Sequence, residues 1–144
     1  MEKNVELNRT DFPMDTKVVI DFVNAINKHD VNRMYELMTT DHVFINSHGK
    51  RIEGKENMKL GWEGYFEFFP DYTIEITEII ENESVIGIFG YADATYMKKK
   101  NKQNSNYWRL PGAWKAIVSD GKIKLWQVFT DTKVPYEIIE ANLS

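Results

Sequence analysis

The chain has 144 residues, 42% apolar and 28% charged, with a net charge of −4 and no cysteine. Such a composition fits one soluble globular domain with a sizeable core, and it excludes disulfides, thiol nucleophiles and cysteine-ligated metals. The negative balance disfavours nucleic acid as a partner, since the one basic run, residues 98–102, sits in a polar stretch that reads as a solvated hairpin tip.

Residues 1–13 mix charge and amide without a period and break at Phe12-Pro13, so they read as a tail before a single domain over 14–144. No apolar run approaches a secretory signal or a membrane span, which points to the cytoplasm and to no membrane partner. Val18, Val19, Phe22, Val23 and Ile26 then recur at helical spacing, with Asp15 or Thr16 as candidate caps. Asp30 is placed to cap a second short helix with Val31, Met34, Leu37 and Met38 on its apolar face. Residues 42–48 alternate as a strand, and if Phe44 points inward, Asn46 and His48 do too.

Gly54 opens a helical segment over 55–69 in which Met58, Trp62, Tyr65, Phe66 and Phe69 share one side, and Pro70 stops it. Residues 72–80, 85–97, 107–119 and 122–132 are rich in β-branched and aromatic side chains and read as strands, with Asp120-Gly121 as a tight turn. Helices first and a mostly antiparallel sheet after them predict an α+β fold with the helices on one side of the sheet.

The run Phe22-Val23-Asn24-Ala25-Ile26-Asn27-Lys28-His29-Asp30, followed by Met38-Thr39-Thr40-Asp41, Gly54, Phe69-Pro70-Asp71-Tyr72 and Gly121-Lys122-Ile123 with Trp126 and Asp131, resembles the SnoaL-like branch of the nuclear-transport-factor-2-like superfamily. The resemblance runs over about residues 16–133 and implies a cone-shaped half-barrel: a curved, mostly antiparallel sheet wrapped around the N-terminal helices, a pocket between them, and commonly a homodimer. Members include polyketide cyclases, ketosteroid isomerases, epoxide hydrolases and dehydratases, so the fold does not decide the function. The isomerase route uses an aspartate base on the first strand, a tyrosine on the first helix and a protonated aspartate on a later strand. The matching positions here are Asn46, Phe22 and a residue near Ala113, which cannot do that chemistry. The cyclase-like branch places an acid near the end of the last strand, where Asp131 is the nearest match.

Two readings of the site therefore stand side by side. In the first, Asp131 faces an apolar pocket as general base, His48 or Asn46 orients a substrate carbonyl, and Phe22, Trp62, Phe66, Trp108, Trp114 and Trp126 line the wall, giving a cofactor-independent isomerase, cyclase or lyase. In the second, Asp131 caps a strand end or meets Lys133, His48 is a turn residue beside Gly49, and the aromatic residues are core. The protein is then a binder of a small apolar molecule, or a dimerisation module with a vestigial pocket. Asp93 interrupts an apolar strand, and its face depends on the register. Neither a metal-ligand cluster nor a nucleotide fingerprint is visible, so no metal or cofactor is expected.

Overall fold

A computed structural model describes Arg9 and residues 12–96 and 106–143. Its elements are α1 (Met14–Asn27), α2 (Val31–Glu36), β1 (Met38–Ile45), β2 (Arg51–Glu53), α3 (Lys55–Phe68), β3 (Thr73–Asn82), β4 (Val85–Thr95), β5 (Tyr107–Ser119), β6 (Lys122–Phe129) and α4 (Lys133–Ala141). The strands form one sheet in the order β2-β1-β6-β5-β4-β3. Its neighbours pair antiparallel except β1 with β6, which run parallel. The basic run at 98–102 lies outside the described residues, as does most of 1–13. Within that lead-in, Arg9 holds the Asp21 carboxylate of α1 through two hydrogen bonds of 2.7 and 3.0 Å.

The apolar stripe of α1 is buried as its spacing predicts, with Val19, Phe22 and Ile26 fully enclosed. The helix is docked at its end by Asn27, whose Nδ2 donates to Ile74 O (2.9 Å) while its Oδ1 accepts from Ile74 N (2.8 Å). Its amide thus satisfies backbone groups that an edge strand would otherwise leave open. Asp30 caps α2 by accepting from Arg33 N.

The register shifts at three places, in β3 between Ile76 and Glu78, between β5 and β6 at Ile117/Val118, and in the β1–β6 pair between Met38 and Val43. An extra residue in one strand bends it. At the first shift the partner strand presents Gly90, where a Cβ would stand 1.8 Å from the Glu75 carbonyl oxygen, so only glycine admits so close a backbone approach. The curled sheet then has two halves on its inner side. In one, Phe22 of α1 packs edge-on against Trp126 with ring centroids 5.0 Å apart, over Ile86, Ile88, Ala116 and Ile123, in a solid core. The other half is left uncovered by α1.

Two elements were not expected from the sequence. The short β2 pairs with the end of β1. The last strand stops at Phe129, and the chain turns into α4, where Asp131 Oδ1 accepts from Lys133 N (2.9 Å) and Pro135 sits in the first turn, a position without need of an N–H.

Candidate functional site

The open half of the sheet, α3 and α4 enclose a cavity of about 330 Å³. Met58, Trp62, Tyr65 and Phe69 present one side of α3 and its end to it, because residues three and four apart share a helical face. The sheet contributes Phe44, Ala92, Trp108, Leu110, Trp114 and Val128. Pro135, Tyr136 and Ile139 of α4 close the remaining side. This roof is fastened at its far end by Asn142, which donates to Asn106 Oδ1 (3.0 Å), and Asn106 Nδ2 in turn donates to Tyr96 O (2.8 Å).

Among the described residues the lining is largely aromatic and apolar and contains no Asp, Glu, Lys or Arg. Trp62, Trp108 and Trp114 are 5%, 7% and 2% exposed, and their indole N–H groups have no hydrogen-bond partner among the described residues. Trp114 spreads over Gly112, where a Cβ would come within 3.0 Å of the ring. Its N–H lies toward the Tyr72 hydroxyl and favours the phenolate there, without completing a hydrogen bond of good geometry. Burial dominates and raises Tyr72 far above its ordinary value; burial does the same for Tyr65, so both hydroxyls stay protonated donors.

Polar groups gather at the mouth. Asn46 follows β1, and its Oδ1 accepts from His48 N (2.9 Å) and Lys50 N (3.0 Å), which fixes the amide orientation. Its Nδ2 is left with no partner among the described residues, on a side chain that lines the cavity. His48 shares a 2.9 Å hydrogen bond between Nε2 and Thr132 Oγ1, and it stacks on Tyr136 at 5.5 Å with the rings 8° from parallel. The imidazole is exposed, tying the β1 end to the start of α4.

The structure thus brings together Asn46, His48, Trp62, Trp108 and Trp114 around one cavity. It does not bring in the others. Asp131, expected as a base inside an apolar pocket, is exposed and does not line the cavity; β6 ends before it, and its carboxylate serves the first turn of α4. Phe22 and Trp126 belong to the solid half beneath α1. Phe66 lies about 80° round the helix from Met58 and stacks on His29 at 4.3 Å instead. Asp93 turns away from the cavity, into a cluster with Thr73, Tyr107 and Arg109. Sequence reading missed Tyr72, Thr130, Thr132 and Tyr136; the signal for the last two was a threonine and a proline marking a helix start just after the final strand.

Among the described residues, no three His, Asp or Glu side chains converge as a metal site, and no helix is long and apolar enough to cross a membrane. No curated protein matches the chain. Among solved structures, a candidate SnoaL-like polyketide cyclase from Shewanella denitrificans OS-217 superposes with a TM-score of 0.77 at 12% identity, covering 90% of this chain and 99% of that one. TerC, co-crystallised with polyporic acid, gives a TM-score of 0.75 at 16% identity, covering 89% and 99%. An NTF2-like protein from Cytophaga hutchinsonii gives 0.65 at 13% identity, covering 85% and 94%. At these identities the likeness is one of fold: a curved sheet around helices, the nuclear-transport-factor-2-like architecture. The sequence itself goes further, because the description of the SnoaL-like domain matches residues 19–126, from α1 to the Trp126 of β6, and the chain belongs to that family.

Proposed function

We propose that the protein binds a small, apolar, flat molecule in the cavity between α3, α4 and the open half of the sheet. The observation that carries this reading is a largely aromatic cavity of about 330 Å³ with no Asp, Glu, Lys or Arg among the described residues of its lining. Similarity in fold to TerC, a protein co-crystallised with polyporic acid, supports a small-molecule site. Ligand contacts are assigned to Trp62, Trp108 and Trp114 on the wall and to Asn46 and His48 at the mouth. The binding is tested by tryptophan-fluorescence titration with neutral two- and three-ring aromatics. Wild type should bind at micromolar concentration, and Ala92→Phe, which fills the cavity from β4, should weaken binding at least tenfold. Equal binding by the variant would place the ligand elsewhere.

A catalytic reading rests on one further observation, the fixed orientation of His48 by Thr132 and Tyr136 beside the Nδ2 donor of Asn46. In it His48 moves the proton and Asn46 holds a carbonyl oxygen, and Asp131 takes no part. Turnover that survives His48→Gln ends this reading while leaving the binding function in place.

The partner we assign is a second copy of the chain, against the outer face of the sheet. There Phe89, Ala113 and Phe129 pair across β4, β5 and β6, and Val85, Ile117 and Leu125 form a second apolar row. Phe89 and Phe129 are 40% and 50% exposed. Apolar residues on both faces of a sheet call for a second cover. Light scattering should give twice 16.9 kDa for wild type and the single mass for Phe89→Lys; a wild-type monomer at micromolar concentration would rule the dimer out.

A further inference from the structure

We infer that α4 is a lid on the cavity, pivoting at residues 130–132 and held shut by a catch between Asn142 and Asn106, so that a ligand enters and leaves under the far end of the helix. This rests on reading the cavity as a binding site, and it adds how access to that site is governed.

The elements that enclose the cavity are not held alike. Backbone ladders knit the sheet, and α3 sinks Met58 and Trp62 into the core at 3% and 5% exposed. Within α4 only Pro135 is buried; Ile138 and Ile139 are partly buried, and Val134 and Tyr136 are 40% and 50% exposed. Where the helix faces inward, through Pro135, Tyr136 and Ile139, it lies over empty volume. An element with so few buried apolar contacts opens while the body of the fold stays intact.

Its two ends are fastened differently. At the start, Thr130 Oγ1 donates to Pro111 O (3.0 Å), tying the chain to β5 just past the end of β6, and Thr132 shares its 2.9 Å hydrogen bond with His48. These bonds fix the pivot. At the far end Asn142 Nδ2 donates to Ile138 O (2.8 Å) within the helix and to Asn106 Oδ1 (3.0 Å) outside it. Among the described residues, the second is the one side-chain hydrogen bond from 137–142 to the rest of the fold. Asn106 belongs to the fixed body: it is 3% exposed, donates from Nδ2 to Tyr96 O (2.8 Å), and accepts at its own O from Tyr96 N (3.0 Å). The catch thus joins one movable half to one immovable half. When the helix lifts, both amides regain water, so the open state stands only one neutral hydrogen bond and a small apolar contact above the closed one.

The chain has no cysteine, so a thiol introduced into it is the sole one. Ala92→Cys places it on the cavity wall, and Ala116→Cys places it in the solid half beneath α1. Each is made with and without Asn142→Ser, whose hydroxyl can still bond Ile138 O and is too short to reach Asn106, with Asn142→Ala as a second way to remove the catch. N-ethylmaleimide should label the cavity thiol about three- to tenfold faster once the catch is gone, the range of one neutral hydrogen bond, and should label the core thiol no faster. Equal acceleration at both thiols means that the whole protein has loosened, and it overturns the lid; so does acceleration at neither. Stopped-flow mixing with 1-aminoanthracene, a neutral fluorescent aromatic, supplies the second measurement. A catch that touches no ligand biases the free and the bound protein equally. Association and dissociation should therefore both quicken about three- to tenfold in Asn142→Ser, with affinity shifted by less than about twofold. Faster dissociation alone, or unchanged rates, puts the route at the mouth beside Asn46 and overturns the lid while the binding site stands. If wild type binds no 1-aminoanthracene, the binding reading falls, and the thiol labelling decides the lid by itself.

Discussion

Strands β4 and β5 carry two opposite treatments of buried polar groups, one residue apart. On the outer side, Asp93 of β4 and Glu75 of the neighbouring β3 are 1% and 8% exposed, and each carboxylate has a partner in the protein. Thr73 and Tyr107 hydroxyls donate to the two Asp93 oxygens at 2.6 and 2.7 Å. Arg109 donates to Glu75 at 2.6 Å, stands 3.8 Å from Asp93 and lies 4.4 Å over the Tyr91 ring. On the inner side, the neighbours Ala92, Trp108 and Leu110 face the cavity, and the Trp108 donor goes unmet. The same backbone therefore holds a network closed on itself and a wall left open. Where buried polarity carries charge, the chain supplies its own partners; where it is a neutral indole N–H, the described residues leave it without one.

The contrast breaks most visibly under substitution at adjacent positions. Arg109→Met leaves two buried carboxylates without their cation and should destabilise the protein by about 2–4 kcal/mol in urea unfolding. Trp108→Phe removes a donor that no described residue uses, keeps most of the ring, and should cost about 1 kcal/mol or less. Equal losses at the two positions would erase the distinction. A smaller effect sharpens it in the solid half. His42 is fully enclosed there, and its Nδ1–H donates to Ile123 O at 2.8 Å. Burial holds its pKa below the ordinary 6.5, with the Ile123 bond opposing that shift. As pH falls through about 6.5 the unfolded chain takes up the proton first, so stability declines toward acid. The melting temperature should drop by a few degrees from about pH 7.5 to 5.5. His42→Asn, which keeps a donor near the Nδ1 position, should flatten part of that slope.

The first three helices, five of the six strands and the inward side of the β1 end were legible because helical and alternating periods are written directly in the order of apolar residues. The position of Asp131 was not. The strand pattern of Leu125 to Phe129 continues into Thr130 and Thr132, and no periodicity tells that the chain has already left the sheet. The aromatic residues posed a different problem. Phe22, Trp62, Trp114 and Trp126 look alike in sequence, and which of them meets a cavity depends on how far α1 reaches across the sheet, a property of the assembled layers. The unmet indole donors are likewise invisible in a string, since an indole carries the same N–H whether or not an acceptor lies opposite.

The close approach at Gly90 has one more consequence. The bend is set where β3 and β4 touch, by Gly90, Glu75 and the shift between Ile76 and Glu78, and none of these residues lines the cavity. Shape and chemistry are thus encoded at separate addresses. Substitutions along the lining can change what the protein accepts without flattening the vessel that holds it. A single methyl group at Gly90 would do the reverse, keeping every contact residue in the sequence while taking away the space in which they meet.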